Sequence, residues 1–225
     1  MNRPCSNSWP PFAEIADFPE THPPQPLPLS GSLNLIADPE LTAAGGQLED
    51  RLQRWADGLD VSGFNELMDP LVCRVLAGAF RWVGADEGTV WLVAPHNRHL
   101  IAAFNTGPQS TDLIGFEQPL DQGIVSLVYA NEQAYCENEI AGRDSHDATL
   151  DHKLGKETAA MLAVPFYFAF GLRGVISCVQ FRQTDAAETP GFDSCHVEEL
   201  ASSATLVERL INSRLIMASL GLDHV

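Results

Sequence analysis

The sequence predicts an α+β domain, an antiparallel sheet with its first and last helices packed on one face and loops over the other. Three observations carry that reading. Met161-Leu162-Ala163-Val164-Pro165-Phe166 and Gly174-Val175-Ile176-Ser177-Cys178-Val179-Gln180-Phe181 are apolar runs joined through Gly171-Leu172-Arg173-Gly174, the pattern of an antiparallel hairpin. A long amphipathic segment follows from Asp193. Upstream, Gly84-Ala85-Asp86-Glu87-Gly88-Thr89-Val90-Trp91-Leu92-Val93 reads as a helix end leading into the first strand of the same sheet.

Residues 1–38 form a proline-rich segment (Pro10-Pro11, Pro19, Pro23-Pro24, Pro26, Pro28), expected to be extended because proline lacks an N–H and disfavours helix in the residue before it. A helical extension is expected over 39–60, with Leu48, Leu52, Trp55 and Leu59 as a narrow apolar stripe and Gly58 and Ser62-Gly63 marking its end. The domain proper is expected over 61–216, with 217–225 as a tail. Its first helix starts with Asp69 as N-cap and Pro70 at the first helical position. Leu71, Val72, Val75, Leu76, Ala79, Phe80 and Val83 give that helix a wide docking face, and Gly84 closes it. Strands follow at Thr89–Val93, Leu100–Asn105 and Phe116–Gln118, then a short helix at Ile124–Ala130 and a strand at Ala134–Glu137. Asn138–Lys156 is polar and aperiodic and reads as a long loop with one helical turn near Leu150–Leu154. After the hairpin, Phe192-Asp193-Ser194 caps the last helix. Val197, Leu200, Ala204, Val207, Ile211 and Leu215 recur in it at three-four spacing, a period that suits a helix–helix seam as well as a sheet-docking face.

Composition narrows the function. With 225 residues and 45% hydrophobic content, one full-sized core with appendages is expected. A net charge of −17 makes the surface repel phosphate backbones and anionic lipid, so neither nucleic acid nor a membrane is the expected partner. The start lacks a basic region followed by an apolar one, and no stretch approaches the ~18 apolar residues of a membrane span, so a cytoplasmic protein is expected. The five cysteines are widely spaced, without a CxxC or a Cys/His set at zinc spacing. Reduced thiols and no metal site follow as expectations.

Five pieces of this sequence, in order, resemble GAF domains: Gly84–Leu92, Leu120-Asp121-Gln122-Gly123-Ile124-Val125, Met161-Leu162-Ala163-Val164-Pro165, Gly174-Val175-Ile176, and Phe192 leading into the last helix. The resemblance spans Val61 to Arg214. It implies a small-molecule pocket on the loop-covered face and a homodimer formed through the outer faces of the first and last helices. The dimer-seam candidates are Val197, Leu200, Ala204, Val207, Ile211 and Leu215.

The pocket candidates are Trp91, Phe104, Tyr129, Cys136, Asn138, Arg143, Asp144, His146, His152, Met161 and Phe166, with Ala163 beside them. Arg143 would clamp an anionic group, and His146 or His152 would bond a heteroatom. Bilin-binding relatives attach their chromophore through a cysteine in the loop before the Leu-Ala-Val-Pro-like strand, and 142–158 contains none. The Asn-Lys-Phe…Asp-Glu signature of cyclic-nucleotide-binding relatives is not reproduced. The enzymatic relative, free methionine-R-sulfoxide reductase, needs a low-pKa thiolate and a resolving thiol. Only Cys136 and Cys178 would serve, and Glu137 beside Cys136 works against a thiolate. The expectation is a non-enzymatic, stand-alone regulatory protein that binds an unidentified small molecule and acts through a homodimer or a regulatory protein partner. The alternatives are the thiol-dependent reductase and a ligand-free interaction module. Which cofactor, if any, the domain takes is left unknown by the sequence.

Overall fold

The computed structural model describes residues 39–94, 98–140, 156–182 and 189–219. The chain divides into two units, 1–44 and 45–225. Of the first, the described part is the beginning of helix α1 (Pro39–Asp57). The second holds the rest of α1 and everything that follows, in the order α2 (Val61–Leu67), α3 (Pro70–Trp82), β1 (Glu87–Val93), β2 (His99–Asn105), α4 (Ser110–Leu113), β3 (Glu117–Pro119), α5 (Gly123–Asn131), β4 (Tyr135–Glu137), β5 (Thr158–Phe168), β6 (Gly171–Phe181) and α6 (Ser194–Ser219). The unit takes in 45–60, which the sequence reading set apart as an extension: Leu52 and Ala56 are buried in its core.

The six strands form one antiparallel sheet in the order β3-β2-β1-β6-β5-β4. Because side chains alternate along a strand, the two faces collect different residues. Val90 and Leu92 of β1, Leu162, Val164 and Phe166 of β5, and Ile176 and Cys178 of β6 share one core with Phe64 of α2, Val72, Leu76 and Phe80 of α3, and Leu200, Val207 and Ile211 of α6. Trp91, Leu100, Ala102, Met161, Ala163 and Val175 form a second core on the opposite face with Leu113 of α4, Ile124, Val125 and Val128 of α5, and Ile140. The α+β fold class follows the sequence.

Local chemistry explains the helix starts. Asp69 Oδ1 accepts from the N–H groups of Leu71 and Val72 at 2.8 and 2.7 Å, and Pro70 occupies the first turn, where its missing N–H costs nothing. Asp69 also pairs with Arg214 of α6, tying the start of α3 to the far end of the last helix. The short helix α2 was not anticipated. Ser62-Gly63 reads as a helix end, yet Asp60 Oδ1 accepts from Gly63 N at 2.8 Å and starts a new helix there.

The hairpin turn lies elsewhere than expected. It is made by Ala169 and Phe170, both with positive φ (47° and 61°), while Gly171–Gly174 belongs to β6. A two-residue turn with positive φ at both positions, the type I′ form, is usually supplied by asparagine and glycine. Here Ala169 N donates to Asn212 Oδ1 at 2.7 Å, and Arg173 donates to Phe168 O at 3.4 Å and Ala169 O at 3.5 Å. Gly174 is needed where it stands, because a Cβ there would overlap the carbonyl oxygen of Trp91 on β1.

Among the described residues no helix is long and apolar enough to cross a membrane. Cys73, Cys136 and Cys178 are free thiols, whereas Cys195 is disulfide-bonded and departs from the reading of reduced thiols throughout.

Hydrogen bonding from the Val72 N–H, helped by Arg214, holds the Asp69 carboxyl below the usual carboxylate range. A depressed folded pKa contributes stability that is present above the unfolded value and lost as pH falls through the folded one. Asp69→Ala is therefore expected to cost about 1–2 kcal/mol at neutral pH. In urea unfolding the gap to the parent narrows once the pH drops below the ordinary carboxylate range.

Candidate functional site

The loop-side face of the sheet carries an unusual set of side chains. Glu87, Thr89 and Trp91 alternate along β1 and point to it together, with Asn105 of β2 and Ser177 of β6 paired on either side of Thr89. All five are buried. Buried polar groups must find partners or lose about 1–3 kcal/mol each, and these do. Asn105 Nδ2 donates to Thr89 Oγ1 at 2.9 Å, and Trp91 Nε1 donates to Ser177 Oγ at 2.9 Å. Gly107 N donates to Asn105 Oδ1 at 2.7 Å, and Lys156 Nζ donates to Glu87 Oε1 in an ion pair. Lys156 also lies over the Phe181 ring, 4.6 Å from its centre. The result is a polar strip along an otherwise apolar face, bounded by Met161, Val175 and the half-buried Val179.

Sequence-derived pocket candidates fall into three groups. Trp91, Met161 and Ala163 lie on this face, and Tyr129 of α5 packs against its core, with burial pushing its phenol up. Phe104, Cys136 and Phe166 belong instead to the helix-side core. Strand parity is the reason. Phe166 is an odd number of residues from Met161 and Ala163, and Cys136 pairs with Leu162, whose side chain faces the helices. Phe104 is carried over by a bulge that sets Val90 opposite Phe104 but Trp91 opposite Ala102. Asn138 acts as a clamp: its amide donates to Phe192 O at 2.8 Å and accepts from Phe192 N at 2.7 Å, fixing the approach to α6. Arg143, Asp144, His146 and His152, and the helical turn expected near Leu150–Leu154, lie outside the described residues. Glu87, Thr89, Asn105, Ser177 and Lys156 were missed. The alternation of polar residues with Trp91 at 87, 89 and 91 was the available signal.

The seam candidates on α6 are used within the chain. Leu200, Ala204, Val207, Ile211 and Leu215 are buried in the helix-side core that α6 shares with the sheet and the preceding helices, and Val197 packs against the same core. Five of the six are thus occupied by the chain's own core, and Val197 is half-buried against it. The exposed apolar residues of these helices are others: Leu71 (47%) and Trp82 (50%) on α3, Leu206 (47%) and Met217 (44%) on α6.

Both thiols weighed as nucleophiles face the helices. Burial, with Cys136 adding to it, pushes the Cys178 thiol up to about 12, and burial with Glu137 and Asp193 raises Cys136. Among the described residues no three His, Cys, Asp or Glu side chains form a group able to hold a metal ion. A cleft of about 670 Å³ edged by Trp55, Leu67, Arg214 and Met217 lies on the helix side, as does a smaller cavity of about 240 Å³ between β5 and α6.

This architecture, a two-sided antiparallel sheet with terminal helices on one face and short helices and loops on the other, is the GAF-domain fold. Solved structures share it. The chain is similar to the GAF-B domain of DevS from Mycobacterium smegmatis with 16% identity and a TM-score of 0.51, over 68% of this chain and 99% of that one. It is also similar to the GAF domain of a phosphoenolpyruvate-protein phosphotransferase from Coxiella burnetii with 13% identity and a TM-score of 0.52, over 78% of this chain and 95% of that one. No family model matches the sequence, and no curated protein is similar to it.

With its pKa pushed up to about 12, Cys178 is almost wholly un-ionised at pH 8 and should resist iodoacetamide in the folded protein, reacting fully only after unfolding. Mass mapping of natively labelled protein checks this; rapid native alkylation of Cys178 would contradict the placement.

Proposed function

We propose that this protein is a non-enzymatic regulatory GAF domain that binds a small molecule on the loop face of its sheet and pairs with a second copy of itself. The observation that carries the reading is the buried polar strip Glu87-Thr89-Asn105-Ser177 beside Trp91. An apolar strip would hold the sheet together as well or better, since buried charges cost more solvation than their pairing returns. Buried, convergent polar groups on an apolar wall are what a small-molecule site requires.

The thiols favour this reading over a methionine sulfoxide reductase. That chemistry needs a thiolate within reach of bound substrate, whereas Cys136 and Cys178 are raised in pKa and belong to the core behind the sheet.

For the dimer, the outer faces of α3 and α6 supply exposed Leu71, Trp82, Leu206 and Met217. Charge supports a pairing of α3 with α6 of a second copy. α3 carries Arg74 and Arg81 and no acid, while the first turns of α6 carry Glu198 and Glu199. A two-fold axis would satisfy both contacts at once. The interaction-module reading survives if the dimer forms but no metabolite binds.

Light scattering on a sizing column should report a dimer for the parent and a monomer for Trp82→Asp with Leu206→Asp. Val207→Asp or Ile211→Asp should instead unfold the chain, because those side chains are in its core. A parent that runs as a monomer sinks the dimer. Native mass spectrometry of the purified protein, together with a thermal-shift metabolite panel, tests the small-molecule reading. Silence in both leaves the interaction module.

A further inference from the structure

At one end of the polar strip, Glu87 and Lys156 set a carboxylate and an ammonium side by side, both largely shielded from water. They are held there. The Glu87 carboxyl lies against the backbone of Gly107, where a Cβ would overlap it, and the Lys156 ammonium is braced over Phe181. Two residues beyond Gly107, Gln109 Oε1 is buried without a hydrogen-bond partner, an acceptor in want of a donor. Half-buried Val179 stands opposite Glu87 on one side and Met161 on the other in the sheet, and half-buried Phe181 lies under the Lys156 ammonium.

Resting on the small-molecule reading above, we infer that this end of the loop face receives a free α-amino acid with an apolar side chain. Its ammonium is taken by Glu87 and its carboxylate by Lys156. The argument is one of charge balance. The closed pair is neutral, so a neutral zwitterion inserted between its members exchanges one ion pair for two and leaves no buried charge uncompensated. A net anion would satisfy Lys156 and strand Glu87; a net cation would do the reverse. Anions are further disfavoured by a chain of net charge −17. An ammonium has three N–H donors, enough to pair with both oxygens of Glu87. Val179, Phe181 and Met161 offer the ligand side chain an apolar floor, which selects leucine- or methionine-like residues over polar ones.

Calorimetric titration of the full chain with L-leucine and L-methionine tests this, alongside two half-ligands: isopentylamine, which lacks the carboxylate, and 4-methylpentanoate, which lacks the ammonium. The expected result is binding of at least one amino acid, with both half-ligands weaker by about tenfold or more, the effect of one lost charged hydrogen bond. Lys156→Met and Glu87→Gln should weaken the amino acid by a similar factor. Because a single change can strand the other charge, the double variant Glu87→Gln/Lys156→Met serves as a second probe: it should melt close to the parent without ligand and still fail to bind. Half-ligands that bind as well as the amino acid, or variants that bind it unchanged, overturn the assignment. Amino acids that are silent while another metabolite binds and loses affinity in Ser177→Ala overturn it and leave the small-molecule reading standing. If nothing binds, both fall.

Discussion

Everything in this fold depends on β6 being hydrogen-bonded on both sides, to β1 and to β5. A strand in that position is buried on both faces, so each of its residues is committed to one of two cores by parity alone. Ile176 and Cys178 go to the helix layer, and Val175 joins the core of the opposite face beside Ser177. The pairing also demands close backbone approach, which is why Gly174 stands against the Trp91 carbonyl. With the glycine consumed by the sheet, the turn had to be built from Ala169 and Phe170 in left-handed conformations. Asn212 and Arg173 then hold the turn through side-chain hydrogen bonds, and Arg173 also pairs with Asp57 at the end of α1. One constraint in the middle of the sheet thus reaches the first and last helices.

The last helix shows how a pattern can be right and its assignment wrong. Leu200, Ala204, Val207, Ile211 and Leu215 do run at three-four spacing, and they do form a seam. Their partner is the chain's own core, built by β5 of the sheet together with the preceding helices. Burying a leucine, isoleucine or valine is worth about 1.5–3 kcal/mol, so an available sheet face outcompetes any second subunit for that stripe. What a second copy can use is the residue set left over, Leu206 and Met217 on α6 with Leu71 and Trp82 on α3.

The fold was legible because its signals are local and repeated. Apolar runs of strand length, Asp69-Pro70 at a helix start, and the periodic last helix each report a nearby interaction. The candidate site was less so. Trp91 and Met161 lie on the loop-side face, whereas Phe166 and Cys136, grouped with them in the sequence, face the helices because two-residue alternation separates the two sets within their strands. For Phe104 alternation alone would not have served, since the bulge at Val90/Trp91 shifts the register. Lys156 meets Glu87 across 69 residues of chain, a contact that no local pattern announces.

The two faces of the sheet also differ in what their chemistry permits. The helix face is closed by aromatic packing, with Phe64, Phe166 and Phe168 in mutual contact at centroid distances of 5.4 to 6.5 Å and no polar side chain among them. Such a layer is held by area and shape, and it tolerates no charge. The loop face interrupts its apolar wall with Glu87, Thr89, Asn105 and Ser177, each bonded to a neighbouring side chain. Buried polar groups are tolerated there because each has its partner, and removing one partner would leave the other unsatisfied. The same sheet therefore turns an apolar face to its helices and a polar-striped face to its loops, and that asymmetry is set residue by residue by alternation along β1 and β6.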